Sequence, residues 1–232
     1  MILLADKPQW RTSNDVVQYL KHRLKVKKCG HAWTLDPMAT GLMILATDND
    51  TKKLHELTWH DKSYIATIDL SALSDTRDKE YREQFTQYEY NAHWLSISWN
   101  EKKWPTKAEI TWKLLILSTW LPVSMPLPPF SAKKVAWKKR YDMARSGDME
   151  IVDQDMIFHD IKIINIAFPL VRISCHVASG TYIRSLAYWL GKELWTGGIL
   201  VALQRISIGS YTLNQVNYDS NDVKVNYGII EN

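Results

Sequence analysis

Two segments of this chain alternate apolar and polar residues, and this pattern limits the folds open to it. In 62–73 and in 169–177 apolar side chains recur at every second position, as in strands that bury one face of a sheet. Helical spacing instead marks four other segments, at about 14–25, 106–118, 132–146 and 181–194. Strands and helices in this order predict an α+β fold with a mainly antiparallel, mixed sheet flanked by helices.

Shorter apolar runs complete the predicted order of elements. We expect strands at about 2–6, 42–46, 149–152, 156–166 and 200–209, a short helix at 51–58 and a weak hairpin near 93–99. Four prolines between 122 and 129 predict an extended connection. We expect residues 1–211 to form one domain and 212–232 to be a short polar tail, too short to fold as a domain of its own.

Composition excludes some classes of protein. No apolar run approaches the ~20 residues that cross a membrane, and the first residues do not have the pattern of a signal peptide. Cys29 and Cys175 could form at most one disulfide, and neither belongs to a CxxC pair. A reduced, cytoplasmic setting is the simpler interpretation.

Basic residues are concentrated in two segments although the net charge is only +4. One cluster lies between Lys21 and Lys28, and the other between Lys133 and Arg145. Two such clusters suit a polyanion bound along one face, but solvated helix faces would give the same pattern. From charge alone, solvated helix faces are the simpler interpretation.

A segment without periodicity, 27–41, contains the most informative acid. It carries Gly30, Pro37 and Gly41, so we expect a loop, and loops between ordered elements often hold site residues. Asp36 precedes a proline within it. Asp-Pro is a common start of a turn, so the residues alone do not separate a turn from a nucleophile.

The sequence of this loop, GHAWTLDPMATG at 30–41, resembles the signature GHxGTLDPxATG of the TruB family of pseudouridine synthases. Further motifs of that family follow in the same order along about residues 2–211. They are Lys7-Pro8 with Thr12-Ser13, DKSY at 61–64, LSDTRD at 73–78, PPFSAKKV at 128–135 continuing to Tyr141 and Arg145, GTYIRSLA at 180–187, and Leu203-Gln-Arg205.

The resemblance implies an isomerase that converts a uridine in the T loop of transfer RNA to pseudouridine without a cofactor. Asp36 would be the nucleophile, attacking either the base or the ribose. Arg184 would pair with it and favour the ionised carboxylate. Tyr64 and Tyr182 would flank the flipped uracil, and Tyr64 would also take part in proton transfer.

The resemblance assigns further contacts to substrate and RNA. Leu203 would form an apolar pocket wall, and His31 and Thr34 would contact the substrate. The implied RNA-binding residues are Lys7, Lys27, Lys28, Lys133, Lys134, Tyr141 and Arg145, the last four in an RNA-clamping segment at about 122–148. Apart from the motifs, each of these would be an ordinary core, strand or helix residue.

The sequence contains no pattern for a cofactor or a metal ion. His55 and His60 are poorly spaced for one helical face, and no phosphate-binding GxxxxGK[ST] occurs. We expect a monomer whose partner is the T stem-loop of transfer RNA, with no membrane, no metal and no PUA-like domain in the tail. The alternative is an RNA-binding or RNA-folding protein on the same scaffold without turnover.

Tryptophan replaces glycine at several family positions. The chain has 11 tryptophans and only 9 glycines. Family glycine positions are occupied by Trp10, Trp33, Trp120, Trp137 and Trp195. We interpret them as a decoding artefact, in which UGA codons that mean glycine were translated as tryptophan. If they are real, Trp33 would obstruct the pocket and weaken the enzyme.

Overall fold

The computed structural model describes residues 1–74, 76–77, 104–129, 134–135, 138–139, 152–216 and 225–226. The chain forms two compact units. The first unit comprises Met1–Ile65, His176–Ser179 and Ala202–Asn232, and the second comprises Ala66–Cys175 and Gly180–Val201. Across the described residues no helix is long and apolar enough to cross a membrane.

The strands of the first unit are β1 Ile2–Lys7, β2 Cys29–Ala32, β3 Thr40–Thr47, β11 Ile199–Ile208, β12 Tyr211–Thr212 and β13 Val225–Asn226, and β11 begins in the second unit. Strands β13, β1, β3 and β11 are neighbours in that order. β3 pairs antiparallel with β1 and β2 and parallel with β11, so the sheet is mixed. Its apolar side chains join those of neighbouring elements in one core that includes Leu4, Leu42, Ile44 and Ile208.

One α-helix, α1 at Ser13–Arg23, belongs to the first unit. A capping box begins it: the Thr12 hydroxyl accepts from the Asp15 amide at 3.1 Å, and the Thr12 amide donates to the Asp15 carboxylate at 2.7 Å. Val16, Val17 and Leu20 are buried at helical spacing. The helix predicted at 14–25 is therefore confirmed. The helix predicted at 51–58 is a 3₁₀ segment, Asp48–Trp59.

The second unit contains the alternating strands. Its bounds are β4 Lys62–Asp69, β5 Val123–Pro126, β6 Lys134–Val135, β7 Lys138–Lys139, β8 Asp153–Met156, β9 Phe158–Ala167 and β10 Leu170–Val177, and β4 begins in the first unit. Strands β4, β10 and β9 are neighbours in that order, and β5 pairs antiparallel with β8. Two α-helices, α2 at Lys107–Leu115 and α3 at Ile183–Leu194, confirm the helices predicted there.

Two segments differ from the sequence prediction. Within the predicted helix at 132–146, β6 and β7 form an antiparallel pair, because cross-strand pairing overrides the local helical propensity of the segment. Within the predicted loop at 27–41, β2 is a strand because all four of its residues pair with β3. The predicted hairpin near 93–99 and most of the strand at 149–152 lie outside the described residues.

Left-handed backbone occurs at an unusual set of residues. Of the seven non-glycine residues with positive φ in the described part, four are tryptophan: Trp10 at 63°, Trp33 at 61°, Trp120 at 62° and Trp195 at 56°. A side chain in this conformation is disfavoured because Cβ approaches the following carbonyl. These are the family glycine positions that the sequence identified, apart from Trp137, which lies outside the described residues.

Candidate active site

Asp36 lies in the loop at 33–39 between β2 and β3, where it is half-buried. The side chain of Ser13, at the start of α1, bonds both backbone groups of the preceding residue: it accepts from the Leu35 amide at 2.8 Å and donates to the Leu35 carbonyl at 3.1 Å. A turn follows, in which the Ala39 amide donates to the Asp36 carbonyl at 3.0 Å. The backbone on both sides of the predicted nucleophile is therefore held by hydrogen bonds.

Lys7 holds the same loop from β1. It is fully buried, and its ammonium donates to the carbonyls of Pro37 at 3.1 Å, Pro8 at 3.0 Å and Arg11. An enclosed ammonium bonded to three carbonyl oxygens stabilises the backbone that supplies them. The predicted RNA contact of Lys7 stays a prediction.

Arg205, in β11, bonds the backbone on both sides of Asp36. Only 1% of the residue is exposed, and its Nε donates to the Leu42 carbonyl at 2.7 Å while Nη2 donates to the Trp33 carbonyl at 3.1 Å. Its guanidinium is also hydrogen-bonded to the Tyr64 side chain and attracted by the Asp36 carboxylate. Burial lowers the pKa of Arg205, and these two groups oppose that shift.

Tyr64 is buried in β4, 7% exposed. Arg205 contacts Tyr64 and attracts Asp36. It therefore links the predicted nucleophile to one of the two predicted aromatic residues. Leu203, in the same strand as Arg205, is 8% exposed, and its carbonyl accepts from the Thr40 hydroxyl at 3.5 Å. These predicted residues all belong to the first unit.

Lys62 and Trp33 form a second contact beside the loop. The Lys62 ammonium lies 3.9 Å from the centroid of the Trp33 ring and donates to the His60 carbonyl. Burial and the nearby Arg205 charge lower the pKa of Lys62 to about 7, against the weaker opposing effect of Asp61. With this pKa, a substantial fraction of the Lys62 amines is uncharged near pH 7, which is unusual for lysine.

His31 and Thr34 contact each other at the start of the loop. The His31 Nε2 atom lies 3.2 Å from the Thr34 hydroxyl. Burial, and secondarily the Arg205 charge, lowers the pKa of His31, so the neutral imidazole is favoured at neutral pH. A neutral ring can donate or accept one hydrogen bond at each nitrogen according to its tautomer. The predicted substrate contacts of both residues stay predictions.

The predicted residues of the second unit lie at the start of α3. Arg184 is 6% exposed, and its Nη1 donates to the Thr76 carbonyl at 3.2 Å. Tyr182 is the N-cap residue and is half-buried. The preceding turn is held by the Gln154 side chain, which donates to the Gly180 carbonyl at 2.9 Å. Pairing of Arg184 with Asp36 stays a prediction, because these two residues belong to different units.

The predicted RNA-binding residues are only partly described. Lys27 and Lys28 are exposed, and both backbone amides donate to the Asp48 carboxylate, at 3.2 and 3.1 Å. Lys134 lies in β6, of which only the backbone is described. Lys133, Tyr141 and Arg145 lie outside the described residues. Among the residues that are described, no group of three or more histidine, cysteine, aspartate or glutamate side chains is arranged to hold a metal ion.

Three residues near Asp36 have functions that the motifs did not indicate. Ser13 and Arg205 lie inside quoted motifs, but nothing in those motifs shows that each bonds the backbone of the loop. Lys62 lies in DKSY, where a lysine is expected to be solvated. No sequence signal indicated the burial of Arg205 either, because charged residues in a strand usually occupy its exposed face.

Solved structures share this fold. The protein chain in the crystal structure of the archaeal box H/ACA sRNP Nop10-Cbf5 complex matches with a TM-score of 0.62 at 20% identity, covering 93% of this chain and 50% of that one. A Cbf5-Nop10-Gar1 complex matches with a TM-score of 0.63 at 21% identity, covering 93% and 53%. The chain thus spans about half the length of these solved chains, and the likeness shows the α+β fold.

Sequence comparison is more specific. Residues 21–103 match the N-terminal domain of the TruB family pseudouridylate synthases. The tRNA pseudouridine synthase B of Parabacteroides distasonis is 35% identical over 92% of this chain and 87% of its own length. The protein of the same name from Chlamydia felis is 36% identical over 92% and 85%. The chain belongs to the TruB family of pseudouridylate synthases, and as such it is an enzyme, a pseudouridine synthase.

Proposed function

We propose that this enzyme isomerises a uridine in the T loop of transfer RNA to pseudouridine, with Asp36 as the nucleophile. The relatives at 35% and 36% identity are named for transfer RNA, and they match over more than nine-tenths of the chain. The single observation that carries the role of Asp36 is its loop, which Ser13, Lys7 and Arg205 hold through backbone hydrogen bonds.

The chemistry requires no external reactant. The bond from N1 of the uracil to C1′ of the ribose breaks, and a bond from C5 to C1′ forms. The hydrogen that leaves C5 is balanced by the one that N1 gains, so no redox partner takes part. Asp36 would attack either the ring or the ribose and leave again after the base has rotated. Arg184 would pair with the Asp36 carboxylate and favour its ionised form.

Aromatic and apolar side chains would receive the flipped base. Tyr64 and Tyr182 would flank the uracil, because an extruded base needs new stacking partners. Tyr64 would also move the proton at C5, and its hydrogen bond to Arg205 would orient the phenol. Leu203 would form the apolar wall, while Lys27 and Lys28 would contact phosphates, which give affinity without reading sequence.

A second candidate is RNA binding without turnover. The specific observation in its favour is Trp33, whose ring lies beside Lys62 at the start of the Asp36 loop. An indole in this place occupies space that the family glycine would leave open. The chain with tryptophan at position 33 would then bind the T arm but convert little of it to pseudouridine.

The test compares the chain with Asp36→Asn on a T-arm stem-loop, with pseudouridine scored chemically and binding measured in parallel. Each of the two proteins is made in two forms, one with tryptophan and one with glycine at position 33. We expect Asp36→Asn to abolish product while binding persists. Asp160→Asn is the matched control, because Asp160 is an exposed carboxylate bonded to Lys162. Equal product from Asp36→Asn, or binding without product from the Trp33→Gly chain, would refute the proposal.

A further inference from the structure

We propose that Arg205 is a positioning residue, which fixes the loop that carries Asp36 and the phenol of Tyr64. The inference rests on the proposed function, in which Asp36 is the nucleophile. Arg205 is a fully buried cation, and a buried charge is tolerated where its hydrogen-bond donors are used. Its bonding partners therefore show what the residue does.

Those partners bracket the loop. The Trp33 carbonyl lies at its start and the Leu42 carbonyl just after its end, and Arg205 donates to both. A guanidinium is planar and presents its donors in a fixed fork, so two bonds to one fork fix the separation of the two carbonyl groups. The third partner, Tyr64, comes from β4, which places the phenol in the same arrangement.

Charge supports the same assignment. The Asp36 carboxylate attracts the Arg205 guanidinium, whereas Lys62 and His31 are repelled by it, which contributes to the lowered pKa of each. Arg205 therefore favours an anion at position 36, in addition to its interaction with Tyr64. Arg184, in the second unit, bonds the Thr76 carbonyl, so the two arginines have different backbone partners.

Arg205→Lys tests the proposal because lysine keeps the charge but loses the fork. One ammonium on a flexible stem does not reproduce the geometry of the two carbonyl bonds and the tyrosine bond. We expect kcat for pseudouridine formation to fall about 10- to 100-fold, since a misplacement of about 1 Å has effects of this size. KM should stay within about threefold, because Arg205 is buried and offers almost no surface to a substrate.

A control separates positioning from general stability. Leu20→Ala removes a fully buried side chain from α1, so it lowers Tm without removing a bond to the loop. Both variants are assayed well below their Tm, and hydrogen exchange is followed in peptides that span 33–42. We expect faster exchange in these peptides and a lower kcat for Arg205→Lys, and wild-type kcat and local exchange for Leu20→Ala.

The outcomes distinguish this inference from the proposed function. Wild-type kcat and wild-type exchange at 33–42 in Arg205→Lys would overturn the positioning role while leaving Asp36 as the nucleophile. A Trp33→Gly parent that binds the T arm without converting it would overturn the proposed function, and the exchange measurement would still decide whether Arg205 fixes the loop.

We also infer, from the backbone dihedrals, that residues 10, 33, 120 and 195 are glycine in the protein that its own cell makes. Each tryptophan there has φ between 56° and 63°, a conformation that costs a residue with a Cβ about 1–2 kcal/mol. Burial does not compensate for this at three of them, since Trp10, Trp120 and Trp195 are 55%, 64% and 61% exposed. Within the described residues, the Trp33 indole nitrogen is buried without a hydrogen-bond partner.

Trp195 shows most directly what the backbone requires. It follows α3 in the left-handed conformation, and the next amide, of Thr196, donates to the Gly191 carbonyl at 2.8 Å. This arrangement closes a helix, and its left-handed residue is usually glycine. The other tryptophans of the described segments, at 59, 104, 112 and 189, do not have positive φ. Strain therefore distinguishes two groups of tryptophan in one chain.

Reassignment of one codon explains why some tryptophans have positive φ and others do not. If UGA specifies glycine and UGG specifies tryptophan in the source cell, the gene should have UGA at the four strained positions and UGG at 59, 104, 112 and 189. Peptide mass spectrometry of the protein from that cell should show glycine and tryptophan in the same division. UGG codons, or tryptophan masses, at the four strained positions would overturn the inference.

Discussion

Gly41 and Arg205 lie opposite each other where β3 runs parallel to β11, and their backbones are in close approach. A Cβ atom on residue 41 would lie 2.3 Å from the Arg205 carbonyl oxygen and 2.7 Å from its amide nitrogen. Gly41 also has a φ of 105°, which side chains rarely adopt. The end of the Asp36 loop and the strand that carries Arg205 therefore meet at a point that only glycine allows.

Gly41→Ala should consequently destabilise the protein strongly. Backbone atoms cannot move aside as a side chain can, so we expect the free energy of unfolding to fall by roughly 2–4 kcal/mol in urea denaturation. Gly30→Ala is the matched control, because its Cβ would meet only the Leu54 side chain, at 3.1 Å. Similar losses from both substitutions would contradict the close approach as the cause.

Ser13→Ala should affect both stability and turnover. The hydroxyl makes two bonds to the Leu35 backbone, and their loss leaves buried groups unpaired, which lowers the free energy of unfolding by about 1–3 kcal/mol. Because Asp36 is the next residue, kcat should fall as well. Thr51→Ala, which removes one local bond to the Asp48 carbonyl, should leave kcat unchanged. An unchanged kcat in Ser13→Ala would show that the loop keeps its shape without this bond.

Lys62 should make stability depend on pH. Its pKa in the folded protein is about 7 against an ordinary value of 10.5, so between these values the unfolded chain binds a proton that the folded chain lacks. Stability should therefore rise with pH above about 7, by at most about 1.4 kcal/mol per unit from this group. Lys62→Met should remove this rise in urea titrations at pH 7, 8 and 9.

Lys52→Met serves as the control for Lys62→Met, since Lys52 is exposed. Its profile of unfolding free energy against pH should match that of the wild type. Parallel profiles for wild type and Lys62→Met would instead show that Lys62 has an ordinary pKa in the folded protein.

Tryptophan-to-glycine substitutions should have opposite effects at two positions. Trp195→Gly relieves a left-handed residue at the end of α3, so we expect the free energy of unfolding to rise by about 1 kcal/mol. Trp112→Gly introduces glycine within α2, where its greater backbone freedom should lower that free energy by about 1 kcal/mol. Thermal and urea unfolding of both variants measures the difference. A loss of stability from Trp195→Gly would contradict the assigned strain.

The elements that sequence patterns predicted well are those whose signals are local. The alternation in β4 and β10 and the capping residue Thr12 of α1 lie within each element. β2 was missed because a four-residue strand is determined by its partner β3 rather than by its own composition. Formation of β6 and β7 depends in the same way on pairing between them.

The same distinction between local signals and distant partners applies to the site residues. Asp36 could be located in a loop from glycine, proline and the motif, and the structure has it between β2 and β3. The burial of Lys7 and Arg205 could not be predicted, because each donates to carbonyl oxygens of distant segments, at Pro37 for Lys7 and at Trp33 and Leu42 for Arg205. A charged residue gains an interior position only from such distant partners.

The hydrogen bonds around Asp36 also determine when, during synthesis of the chain, its loop becomes fixed. Ser13 is made long before Arg205, which belongs to β11. Chains are synthesised at roughly 5–20 residues per second and begin to fold before they are complete. A nascent chain that has not yet reached β11 therefore has the proposed nucleophile but not the strand that fixes its loop, so we expect catalytic competence only after Arg205 has been made.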